Sequence, residues 1–302
     1  MDIIGKRKWW FIISGLIILP GFLALILWGF RLGIDFSGGT LIELGFPKAE
    51  KIQKEQVEKI LAPLDLEDLQ VQVTGEKSVF IRTKPITKEE FNKIQDTLAE
   101  KLGEAKEVRF ETVGPVVSKN LTKKAIMAVI IASIAIILYI TWAFRKVPAP
   151  ASSFRFGACA ILALIHDLLV VCGIFAILGH FWGVEIDGLF ITALLTVMGF
   201  SVNDTIVVFD RIRENLRLNP NSAFEEVVNE SVIQTITRSI NTSLTVLLVL
   251  ICLYIFGGDS LRNFVFALLV GIFIGTYSSI FTASPLLVVW RGWVERKKLK
   301  RV

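Results

Sequence analysis

Four residues could carry chemistry in apolar surroundings: Asp204, Arg238, His166 and Asp167. Each lies in a stretch otherwise rich in aliphatic and aromatic side chains, where an ionisable group is costly and usually functional. Asp204 sits in Gly199-Phe200-Ser201-Val202-Asn203-Asp204-Thr205. Thr192, Thr196, Gly199 and Asn203 recur there at helical spacing. They form a small, polar stripe expected to face other helices, with Asp204 at its border. Arg238 shares a helical face with Thr235, Thr242 and Thr245. The two stretches would run in opposite directions, which puts Asp204 and Arg238 at similar depth and makes a buried pair the expectation. The other readings are a structural carboxylate for Asp204 and, for Arg238, a side chain that reaches the headgroups. His166 and Asp167 are adjacent, so on a helix they point about 100° apart. They are either a relay element or a carboxyl serving as a structural acceptor.

Other chemistries find no residues. The second histidine, His180, lies about 21 Å of helix rise from His166, which argues against a metal site. No nucleophile and base can be assembled, and Ser278 and Ser279 read as helix-packing residues rather than nucleophiles. The expectation is therefore no catalytic set, no metal and no cofactor. Cys159, Cys172 and Cys252 lack metal-ligand spacing and read as packing or lipid-facing residues.

The elements that must position these groups are membrane spans. The chain has 302 residues, and its 53% hydrophobic content is gathered in blocks. Residues 9–30 carry no charge before Arg31, and a bilayer core needs about 20 apolar helical residues. The block is too long for a removed signal peptide and reads as an uncleaved anchor. Further blocks cover 125–144, 156–178, 188–209, 236–256 and 264–290. The last carries Ala267, Gly271, Gly275 and Ser279 every fourth residue, a small-residue packing face. Basic residues cluster at Lys6–Lys8, at Arg145, Lys146 and Arg155, at Arg211, Arg213 and Arg217, and from Arg291 to Arg301. All fall on the side of the N-terminus, so that side is expected to be cytoplasmic. The net charge of +5 thus marks topology rather than nucleic-acid binding. The expected organisation is a cytoplasmic N-terminus at 1–8, a first span at 9–30, an extracytoplasmic domain at 31–122, a five-helix membrane region at 123–290 and a basic cytoplasmic tail at 291–302.

Residues 31–122 read as a small α+β domain. Thr40–Phe46 is strand-like, Glu50–Leu61 is helical, and Leu69–Thr74 and Ser78–Thr83 alternate as a hairpin turned at Thr74-Gly75-Glu76-Lys77. Thr87 and Glu90 form a capping box ahead of a helix that carries Phe91, Ile94 and Leu98 and stops at Gly103. A last strand covers Lys106–Val113. The order β-α-β-β-α-β is ferredoxin-like. Gly33, Asp35, Gly38 and Gly39 suggest a tight turn between the first span and this domain, and Gly114 with Pro115 an abrupt exit from it.

Gly199–Asn215 together with Gly33–Gly39, Val113–Pro115, His166-Asp167, Thr237–Ser243 and Gly275–Ser279 resembles, in order, the motif set of the SecD/SecF family of protein-export membrane proteins. The resemblance covers essentially the whole chain. Phe200 stands where a Tyr is common and Val202 where a Leu is common, and neither alters a charged position. The family belongs to the RND superfamily. The resemblance implies a multi-pass protein of the bacterial cytoplasmic membrane with both termini inside. It implies that the proton gradient is used to help complete translocation, with Asp204 and Arg238 tied to proton transport; His166, Asp167 and Asn203 are the further proton-coupling candidates. Some members fuse two halves in one chain. The match here is to the second half, so a separate SecD is the expected partner, with the SecYEG channel and YajC, and with secreted or membrane proteins as substrates. The alternative is an RND-type exporter of lipids or small molecules, whose outer domains are much larger. An intramembrane hydrolase is a distant third.

Overall fold

The computed structural model describes residues 2–48, 52–74, 77–145 and 152–299. They divide into two compact units, Leu32–Ile126 and the pair of segments Met1–Arg31 and Met127–Val302.

The first unit holds a short helix α2 (Ile34–Ser37), β1 (Gly39–Gly45), α3 (Lys54–Leu61), β2 (Gln70–Thr74), β3 (Ser78–Thr83), α4 (Lys88–Leu102) and β4 (Lys106–Val113). The strand order is β2-β3-β1-β4 and every pairing is antiparallel. This is the ferredoxin-like arrangement. Ile42 and Leu44 of β1 and Val79 and Ile81 of β3 point to one face, and Val57, Leu61, Phe91, Ile94 and Leu98 of the two long helices cover it. The alternating strand pattern and the helical period of α4 thus meet in one core. α4 starts where expected: Thr87 Oγ1 accepts the Glu90 amide at 3.3 Å, and Glu90 Oε2 accepts the Thr87 amide at 2.8 Å. α3 starts at Lys54, later than the expected Glu50, which like Ala49 and Lys51 lies outside the described residues. Gly75 and Glu76 of the expected hairpin turn lie outside them too, as do Lys146, Lys300 and Arg301 of the basic clusters.

The second unit is helical. Among the described residues, six helices are long and apolar enough to cross a membrane. They are α1 (Arg7–Leu27), α5 (Pro115–Ala143), α6 (Ser153–Trp182), α7 (Gly188–Leu218), α8 (Phe224–Phe256), and a sixth built from α9 (Asp259–Ser278), a π turn (Ser279–Ala283) and α10 (Ser284–Leu299). α5 begins about ten residues before its expected apolar block, because Lys119, Lys123 and Lys124 are good helix formers and do not interrupt the turn pattern. α9 packs against α6, α7 and α8, and α1 packs against α6. At the α1–α6 crossing, a Cβ on Gly21 would lie 2.8 Å from the Gly173 Cα, so two glycines let the backbones touch. Ile3 and Ile4 are buried, and their amides donate to Asn229 Oδ1 of α8 at 2.9 and 3.1 Å.

Candidate functional site

The polar groups inside the helical unit converge on Thr276, Tyr277, Ser278 and Ser279, where α9 passes into the π turn. Successive helical residues are rotated by about 100°, so four of them address every side of a helix. Each bonds a different neighbour. Thr276 Oγ1 lies 2.5 Å from Ser243 Oγ of α8. The Tyr277 hydroxyl donates to the Trp10 carbonyl of α1 at 3.0 Å and lies 3.2 Å from Ser14 Oγ. Ser278 donates to Asp167 Oδ2 of α6 at 2.7 Å. Ser279 donates to Asp204 Oδ2 of α7.

Asp167 is 0% exposed and fully engaged. Its Oδ2 also accepts from Ser201 of α7, and Oδ1 lies 2.9 Å from His166 Nδ1. The adjacent pair, set about 100° apart along the helix, thus meets through its side chains. His166 Nε2 is buried and has no hydrogen-bond partner among the described residues. Asp204 is 6% exposed. Beyond Ser279, the Ser239 hydroxyl of α8 faces it and is left without a partner at bonding geometry.

The expected buried pair is corrected. Both residues are described, and no ion pair of 4.0 Å or less joins Asp204 to Arg238, whose side chain is exposed on α8. Hydroxyls, which need no desolvated counter-charge, fill the place intended for the guanidinium. Ser278 and Ser279 do more than pack: they are also the donors to the two interior carboxyls. The α7 stripe is a second correction. Thr192, Thr196, Gly199 and Asn203 are exposed, and outside its own helix nothing among the described residues lies within 4 Å of where a Gly199 Cβ would sit. The face of α7 that α9 covers is instead the one bearing Val197 and Ser201, opposite Gly271 and Gly275.

In the α+β unit, Gly33 caps α2, which carries Asp35, so the expected tight turn is one turn of helix. Gly38 and Gly39 follow with φ of 75° and 116°, and a Cβ on Gly39 would lie 2.7 Å from the Thr83 carbonyl oxygen, so both the backbone conformation and the close approach of β3 call for glycine. Arg82 of β3 donates to the Leu32 carbonyl at 3.0 Å and to Ser37. Arg82 was not legible from spacing, since its partners are distant in the chain. Ser201, Ser239 and Ser278 had a signal: buried carboxyls need donors, and hydroxyls on facing spans are the cheapest supply.

Known proteins share this fold and much of this sequence. The family model "Protein export membrane protein SecD/SecF, C-terminal" matches residues 93–293, and the SecD/SecF GG motif matches residues 29–49. The chain is similar to the protein translocase subunit SecF of Thermobaculum terrenum, with 48% identity across 97% of this chain and 94% of that one. It is similar to the protein translocase subunit SecDF of Bacillus subtilis, with 38% identity across 96% of this chain and 38% of that one. The crystal structure of SecDF from Thermus thermophilus, titled a translocon-associated membrane protein, superimposes with a TM-score of 0.84 at 34% identity, over 97% of this chain. The chain spans 39% of that longer protein. With a family match over two thirds of its residues, full-length relatives and a shared six-helix fold, the chain belongs to the SecD/SecF family of protein export membrane proteins.

Proposed function

We propose that this chain is an accessory subunit of the bacterial Sec protein-export machinery, pairing with SecD and using the proton-motive force to promote translocation across the cytoplasmic membrane. The SecYEG channel and YajC are the further partners, and secreted or membrane proteins the cargo. Both termini are cytoplasmic and the α+β unit lies outside. The observation that carries the reading is Asp204: a buried carboxyl in mid-chain helix α7, bonded to a hydroxyl. Arg keeps its proton in proteins, so the carboxyl is the group that can take one up and release it. Each charge that crosses is driven by about 2.3 kcal/mol per 100 mV, enough to bias a two-state rearrangement of packed helices. Gly33–Gly39 and Val113–Pro115 are the connections through which such a rearrangement reaches the α+β unit. The exposed polar stripe of α7, with Arg238 and Thr242 exposed on α8, supports a second membrane subunit, because polar surface at membrane depth is otherwise left against lipid. A lipid or small-molecule exporter is less favoured: one four-stranded sheet with two long helices is too small to enclose a path.

The test is Asp204→Asn, which keeps size and hydrogen bonding but cannot titrate. It is expected to accumulate and co-purify with SecD normally, while gradient-dependent stimulation of export in membrane vesicles is lost. Full stimulation by that variant would remove Asp204 as the carrier.

A further inference from the structure

Asp204 and Asp167 sit on different helices, yet their hydroxyl donors are consecutive in sequence. We propose that Ser278 and Ser279 are positioning residues that make the two carboxyls interdependent, so that protonation of Asp204 changes the hydrogen bonding of Asp167. This rests on the reading of Asp204 as the proton carrier.

A serine hydroxyl has one hydrogen, and each of these two has two acceptors in reach. Ser279 can donate to Asp204 Oδ2 or to the Thr276 carbonyl at 3.0 Å. Ser278 can donate to Asp167 Oδ2 at 2.7 Å or to the Gly275 carbonyl at 3.1 Å. While Asp204 is ionised, Ser279 donates to it. When a proton adds to Asp204 Oδ2, the acid O–H becomes the donor, Ser279 Oγ accepts, and the Ser279 hydrogen turns to the Thr276 carbonyl. Every proton is accounted for, and the exchange needs no other reactant.

The segment is also built to move. The π turn starts at Ser279, and such turns hold one residue more per hydrogen-bonded loop than the α-helix on either side. Ser284 Oγ covers the Ser279 carbonyl at 3.2 Å. Ser278 and Ser279 are both 0% exposed, so a shift of one cannot be absorbed by empty space and is passed to the other through their shared peptide. Asp167 cannot follow freely, being held by His166 of its own helix and by Ser201 of α7. The titratable or charged groups that face the two carboxyls are Arg238 from α8, His166 from α6, and Tyr277, whose ring stacks 6.3 Å from that of His166. From α1 come only the Ser14 hydroxyl and the Trp10 carbonyl, both bonded to Tyr277.

The experiment is infrared difference spectroscopy of the full chain, co-purified with SecD, reconstituted in vesicles and carrying isotope-labelled aspartate. Loss of a carboxyl band in Asp204→Asn and in Asp167→Asn assigns the two groups. The expected result is that Asp204→Asn displaces the Asp167 band, and that this displacement disappears in Ser278→Ala and in the Ser278→Ala/Ser279→Ala pair. Ser279→Ala alone should move the Asp204 titration midpoint by about one pH unit, the size expected for one hydrogen bond to a charged group. If the double variant does not accumulate, Ser278→Ala carries the test alone, since it leaves the Asp204 contact in place. An Asp167 band that stays put in Asp204→Asn, or is displaced equally without the serines, overturns the coupling. Full gradient-driven export by Asp204→Asn would instead overturn the carrier reading, whatever the spectra show.

Discussion

Asp167 and Asp204 show how two carboxyls of one helical unit come to differ. Asp167 has a hydrogen-bond partner at each oxygen and no exposure, whereas Asp204 has one bonded hydroxyl and borders an exposed polar face. Removing Asp167 strands Ser201 and His166 in the interior, while Ser278 can turn to the Gly275 carbonyl. An unsatisfied buried donor costs about 1–3 kcal/mol. Asp167→Ala is therefore expected to lose at least about 2 kcal/mol of stability, and Asp204→Ala less, with thermal unfolding in detergent as the measurement. Equal losses would place the two carboxyls in the same structural role. The residue types were legible from sequence, since charge in an apolar block stands out. Their partners were not: the donors are serines 34, 75 and 111 residues away, and no local pattern marks which small hydroxyl faces which helix.

Among elements, those with a local cause were the most legible. α4 and β4 run as expected because a capping box, a helical apolar face and a glycine stop are short-range signals. The capping box also sets a pH dependence for the α+β unit. The Thr87 amide holds the Glu90 carboxyl below the usual range, and Lys84 and Lys48 do the same for Glu67 and Glu104 by hydrogen bond and charge. These are values lowered on folding. Their stabilisation is therefore present above the ordinary glutamate range and is lost as pH falls through the lowered values. Residues 38–114 made alone are expected to be soluble, with mixed α/β circular dichroism, and to unfold at lower temperature at pH 3 than at pH 6. An unchanged midpoint would leave these contacts without effect on stability. In the helical unit the Gly21–Gly173 contact makes the sharper test. Gly173→Val puts side-chain atoms where the α1 backbone lies and is expected to cost about 1–3 kcal/mol, seen as a lower unfolding temperature and weaker cysteine cross-linking between α1 and α6.

For the whole molecule, the exposed stripe of α7 separates assembly from folding. A Cβ at Gly199 has no neighbour within 4 Å among the described residues outside its own helix, and Gly199 is exposed, so the abundance and unfolding temperature of Gly199→Ala should not fall below the parent's. Its recovery with SecD is expected to fall several-fold, and undiminished co-purification would place the partner elsewhere. Topology has its own check. A cysteine at position 80 should react with an impermeant reagent in intact cells, and one at position 218 only after the membrane is opened. Sequence alone determined the number of spans, the ferredoxin-like order of the α+β unit and three of the four interior ionisable groups, His166, Asp167 and Asp204, while Arg238 is exposed. These depend on local quantities: apolar length, strand alternation, capping residues and the cost of a charge in lipid. Tertiary structure decided which face of α7 is covered, that Asp204 meets Ser279 rather than Arg238, and that Thr276–Ser279 bonds four different helices. A helix with small or polar residues on two faces gives no local reason to bury one and expose the other. That choice is made when the spans pack, by whichever arrangement satisfies the buried carboxyls and brings the backbones closest.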